Sequence, residues 1–144
     1  MKVLKLALCC GFLLGLSGCE SGRYVPVSGV VTLNGTPLVG AMVLFQPTGG
    51  NDTGGYGSFA RTDSEGRFSL EVAAPKPIPG AKVGKHRVTI GMPEKAQNTT
   101  SDAMVKTKVK FKDPVPERYN TKSELDFEVT GKGTDQANFA LTSP

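Results

Sequence analysis

The sequence predicts an all-β protein, a seven-stranded β-sandwich. Three observations lead there. Apolar and polar residues alternate in short runs, the period of two that marks a half-buried strand. Glycine and proline, 28 of the 144 residues together, gather between those runs as turn signals. No stretch beyond the N-terminal segment carries a helical period long enough to compete.

The chain opens with a different element. Lys2 and Lys5 form a basic start, and Leu6 to Leu16 is an unbroken apolar and small-residue run. As a helix it would reach roughly 16 Å at ~1.5 Å per residue, too short for a hydrocarbon core of about 30 Å. That is the layout of a signal helix, expected over residues 1–18. The run ends Leu16-Ser17-Gly18-Cys19, which resembles the bacterial lipobox. The resemblance implies cleavage before Cys19 and lipidation of its thiol and new amine. A chain contributes ~0.8 kcal/mol per buried CH₂, and stable anchoring needs at least two chains. Glu20 stands where the resemblance would place Asp for inner-membrane retention, so the expected location is the outer membrane. Residues 19–26 read as the lipidated cysteine and a short polar tether.

Strands follow from residue 27. Val27, Gly29, Val31 and Leu33 share one face, and Asn34-Gly35 is a hairpin turn dipeptide. Ala41, Val43 and Phe45 form the next face. Residues 48–57 are a glycine-rich loop, and a third strand runs near Ser58 to Thr62. Asp63 and Gly66 make a tight turn, with the carboxylate as cap and the glycine at positive φ. Phe68, Leu70 and Val72 form the fourth strand. Residues 73–83, with three prolines, read as loop. His86, Val88 and Ile90 face one way in the fifth strand, Leu125, Phe127 and Val129 in the sixth, and Phe139 and Leu141 in the last. The domain is expected over residues 27–142, with 92–115 as a long basic loop or edge strand.

Two segments add a resemblance. The pattern V-x-G-x-V-x-L-x-G-x-P-L-x-G-A-x-V-x-F runs from Val27 to Phe45. T-D-x-x-G-x-F-x-L runs from Thr62 to Leu70, and G-x-x-x-V-x-I from Gly84 to Ile90. Together they resemble the carboxypeptidase regulatory-like domain, which implies an immunoglobulin-like or transthyretin-like sandwich. Val115 to Asn120, VPERYN, resembles a segment common in small bacterial envelope lipoproteins with this domain. These motif residues are turn formers and core residues, so they point to a fold and not to a function.

Composition narrows the function. All three cysteines fall within the first nineteen residues. Two leave with the signal and the third is the anchor, so no disulfide is expected. Losing Lys2 and Lys5 lowers the formal charge from +4 to about +2, too little to argue for nucleic acid. His86 is the only histidine, which leaves no zinc set; a packed ring with one hydrogen bond is expected. Transthyretin-like hydroxyisourate hydrolases carry several catalytic His and Arg residues and a C-terminal Tyr-Arg-Gly-Ser, and this chain has neither the histidines nor that ending. Gly49 to Gly57 lacks the Gly-Lys-Ser/Thr of a phosphate loop. Asp52, Asp63 and Glu65 do not make a calcium loop. No catalytic residue, metal or cofactor is therefore expected.

Two surface features remain. In VKTKVKFK, Lys106, Lys108, Lys110 and Lys112 alternate with Val105, Thr107, Val109 and Phe111. This basic stripe suits anionic headgroups or acidic polymers, or else guards a sheet edge. Tyr56 and Tyr119 could stack on sugar rings if the fold brings them together. The expectation is a non-enzymatic, lipid-anchored envelope protein with structural or protein-interaction roles, its partner an envelope protein. The alternative is a module that binds an envelope polysaccharide.

Overall fold

The computed structural model describes residues 23–48, 56–93 and 112–144. Within them lie twelve β-strands and one turn of 3-10 helix, Glu117–Tyr119, with no α-helix. The chain is mostly β, in several sheets. The expected signal helix and Cys19 lie outside the described residues.

The first strands are β1 (Tyr24–Val25), β2 (Ser28–Leu33), β3 (Thr36–Pro37), β4 (Met42–Pro47) and β5 (Ser58–Arg61). Asn34 and Gly35 both take positive φ, 52° and 80°, the two-residue turn whose twist matches a hairpin. It sets Leu33 opposite Thr36. After β5 comes the expected tight turn. The Asp63 carboxylate accepts from the backbone N–H of Glu65 and Arg67 at 2.8 and 2.9 Å, and Gly66 has φ 72°. Thr62 is buried beside it. Its hydroxyl donates to the Leu38 carbonyl and accepts from the Ala41 N–H, which fixes the approach to β4.

Next come β6 (Arg67–Ser69), β7 (Glu71–Val72), β8 (Ile78–Pro79), β9 (Ala81–Lys82) and β10 (Gly84–Gly91), and after the 3-10 turn β11 (Leu125–Val129) and β12 (Phe139–Leu141). The six-stranded sheet has the order β11-β10-β4-β5-β7-β8. The four-stranded sheet has β12-β2-β3, with β6 also on β2. β1 and β9 form a separate pair. Neighbours run antiparallel except β12, which lies parallel to β2.

Each of the seven expected segments contains a strand, but the count is twelve. The expected fourth strand divides at Leu70: β6 pairs with β2 and β7 with β5. Its apolar alternation runs straight through the crossing, because Phe68, Leu70 and Val72 all point into the core. Four two-residue strands make up the difference. Two of them, β8 and β9, lie in residues 73–83, read from sequence as loop. Another, β1, corrects the tether boundary. Val25 is only 4% exposed, β1 pairs with β9, and the Val83 N–H donates to the Arg23 carbonyl. The fold therefore begins ahead of Tyr24, and residues 24–26 belong to it.

The core lies between the two larger sheets. Phe45 of the six-stranded sheet has its ring centroid 6.1 Å from Phe139 of the other, and Phe127 and Phe139 are 6.0 Å apart. Val31, Val43, Phe45, Val88 and Ile90 are fully buried. At about 1.5–3 kcal/mol for each large side chain, this packing is the main force holding the sheets together.

Candidate interaction surface

Residues 113–123 form a strap from β10 to the C-terminal strand. Asp113 sets its start. One carboxylate oxygen accepts from the Met92 N–H at 3.0 Å and from the Asn120 amide at 2.6 Å, and the other accepts from the Val115 N–H at 2.9 Å. The Asn120 and Asp113 side chains lie flat on β10: a Cβ placed on Gly91 would sit 2.6 Å from the Asn120 nitrogen. At the other end the Arg118 guanidinium donates to the carbonyl and hydroxyl of Thr142, just after β12. Arg118 also lies 4.9 Å over the Tyr119 ring. Ser123 closes the strap on β10 by donating to the Val88 carbonyl, and Arg87 holds the Ser123 carbonyl and Asp126.

The VPERYN segment therefore has structural work for most of its side chains. Val115 enters the core, Glu117 pairs with Lys122 at 2.6 Å, and Arg118, Tyr119 and Asn120 tie the strap to its neighbours. Tyr119 packs on the core edge. Its hydroxyl lies 3.3 Å from the Thr142 hydroxyl, and that hydrogen bond, with help from Arg118, lowers its pKa below the ordinary 10. An open groove of about 840 Å³ runs along the strap, lined by Lys112, Asp113, Pro116, Glu117, Thr121 and Ser143 among others.

The two tyrosines do not form a platform. Tyr56 is exposed and stands two residues before Ser58, which faces Phe45 near the end of β4. Tyr119 precedes Asn120, whose side chain lies against Gly91, and Gly91 faces Met42 at the start of β4. The length of β4 separates them, roughly 17 Å at ~3.4 Å per residue. Lys112 is exposed at the strap's start. Lys106, Lys108 and Lys110 lie outside the described residues.

His86 is in the core, 1% exposed. Its Nδ1 lies 3.0 Å from the Gly84 carbonyl. A carbonyl can only accept, so Nδ1 carries the proton. Nε2 meets no partner among the described residues, and the Phe45 ring lies 5.8 Å away. Burial lowers the imidazole pKa below 6.5; the Gly84 hydrogen bond opposes this and Lys82 adds to it. The ring is a packing element with one hydrogen bond. Among the described residues no three His, Cys, Asp or Glu side chains gather as a metal centre requires, and no helix is long and apolar enough to cross a membrane.

Sequence reasoning missed Asp113 and Asn120, which hold the strap. The signal was Asp113-Pro114, a turn-initiating pair with a carboxylate placed to cap. No family model matches the chain, and neither a curated protein nor a solved structure does.

Proposed function

We propose that this chain is a non-enzymatic, lipid-anchored protein of the bacterial cell envelope, held at the outer membrane, which presents its β-domain for structural or protein-interaction roles. The observation that carries this is Leu16-Ser17-Gly18-Cys19 behind a basic start and a short apolar run. The fold begins only four residues after Cys19, at most about 14 Å of extended chain, so an anchor there would hold the domain close to the bilayer. The facing sheets are consistent with a sandwich of the carboxypeptidase regulatory-like, transthyretin-like kind, as the motifs in Val27–Ile90 suggest. That fold does not by itself imply an activity; the proposed role is a surface one because the sequence offers no catalytic set.

Mass spectrometry of the membrane fraction tests the anchor. The expected mature N-terminus is a Cys19 carrying three acyl chains, and Cys19→Ser should move the protein out of the membrane fraction. An unmodified N-terminus, or cleavage away from Cys19, overturns the reading.

A further inference from the structure

One end of the six-stranded sheet gathers cations. There β10 starts at Gly84, facing Val129, the last residue of β11, and β4 closes at Pro47, opposite His86. β5 starts there at Ser58, which faces Val72 at the close of β7, and Val72 faces Ile78 at the start of β8. The chain enters the described fold at the same end. The Arg23 carbonyl accepts from the Val83 N–H, one residue before β10, and Tyr24 lies opposite Lys82.

Among the described residues, Arg23, Lys76, Lys82, Lys85 and Lys132 lie at this end. Lys76 is in the loop between β7 and β8, and Lys132 is in the turn after β11. The nearest carboxylates are Glu128, facing Lys85, and Glu71, facing Phe59. Lys76, Lys85 and Lys132 are exposed, and none of the three makes an ion pair among the described residues. At the opposite end charges pair off, Arg67 with Glu65 and Lys122 with Glu117, and Asp63 and Asp113 add negative charge. The basic end also exposes apolar groups. Tyr56, just before β5, is 54% exposed and Ile78 37%, and the exposed Pro75 and Pro77 flank Lys76. Such groups beside lysines suit the boundary between lipid headgroups and acyl chains.

We propose that this end of the domain docks on an anionic bilayer surface, with Tyr56 and Ile78 in the headgroup layer and Lys76, Lys85 and Lys132 among the lipid phosphates. The direction of approach rests on the anchor proposed above. Residues 20–22 are all that separate Cys19 from Arg23, and Arg23 enters the fold at the basic end, not at the strap end. An anchored chain therefore meets the membrane with this face first. Each Lys or Arg close to an anionic surface raises partitioning about fivefold, so three exposed lysines add a charge-dependent hold to that of the lipid. Six strands at ~4.8 Å spacing make the face roughly 24 Å wide, a base broad enough to fix a tilt. The strap and its open groove lie at the other end, where Met92 follows β10, and point away from the bilayer.

The chain has no tryptophan, so one substitution supplies a fluorescent depth reporter. The full-length chain is reconstituted in phosphatidylcholine vesicles with a quarter of phosphatidylglycerol and bromine on the acyl chains. Ile78→Trp should be quenched at least ~2-fold more than Val39→Trp, which reports from an exposed position before β4 at the opposite end. Equal quenching overturns the docking face and leaves the anchor standing. A second measurement needs no anchor. In the Cys19→Ser chain, Lys76→Gln, Lys85→Gln and Lys132→Gln together should weaken binding to the same vesicles at least ~10-fold, whereas Lys112→Gln with Lys122→Gln should weaken it less than ~3-fold. The N-terminal segment is common to both variants, so the difference belongs to the lysines. Equal losses overturn the proposal whether or not Cys19 carries lipid. An unmodified Cys19 with the difference intact refutes the anchor and supports the docking face. Retention by heparin without preference for phosphatidylglycerol overturns it in favour of an acidic polymer as occupant.

Discussion

At the scale of single residues, His86 sets a pH dependence that can be isolated. Burial depresses its pKa below 6.5, so the folded state holds it neutral while the unfolded chain protonates near 6.5. As pH falls through about 6.5 the unfolded state binds more protons, and stability falls until the lowered folded pKa is passed. Above 6.5 the effect is absent. Because this is the only histidine, a decline in urea midpoint between about pH 7 and pH 5.5 should belong to it. His86→Leu should flatten that decline; an equal slope in the variant would count against the assignment. An inward His was visible in the alternation around Lys85 to Ile90. Its missing Nε2 partner was not, because that depends on what β4 and β11 bring alongside.

At the scale of elements, the strap is the most instructive. Asp113 satisfies two backbone N–H groups and one side-chain amide, and a hydrogen bond to a charged group contributes about 1.5–3 kcal/mol. Asp113→Ala should therefore cost about 2–4 kcal/mol, and the loss should be local. Exchange should quicken at Met92, Val115 and Asn120, while Val43 and Val88 in the sheet stay slow. Uniform quickening would mean the strap is not a separate unit. The longer strands were legible because four or more residues display a period of two. β1, β8 and β9, at two residues each, display no period. The division between β6 and β7 was hidden for a different reason: alternation reports which face is buried and is silent about which neighbour supplies the hydrogen bonds. The separation of Tyr56 from Tyr119 was hidden likewise, since it depends on the antiparallel order of β5, β4 and β10.

At the scale of the whole molecule, the sheets meet around β2. The segment 134–138 crosses β2 so closely that a Cβ on Gly29 would lie 2.1 Å from the Ala137 carbonyl oxygen. Both neighbours are backbone, so neither can move aside alone. Gly29→Ala should cost at least ~3 kcal/mol, at or above the usual range for overpacking, and should lower the midpoint of the entire cooperative transition; a change below ~1 kcal/mol would show that the crossing relaxes. This glycine was legible as part of V-x-G-x-V, but the crossing that requires it was not, because Ala137 lies 108 residues away. The parallel pairing of β12 with β2 also governs how the domain bears tension. Pulling the chain apart at Tyr24 and Thr142 draws the two strands along each other in opposite directions. Their hydrogen bonds are then strained together and not opened one after another. Such a geometry resists stretching more than thermodynamic stability alone would set, since folded domains in general are only marginally stable.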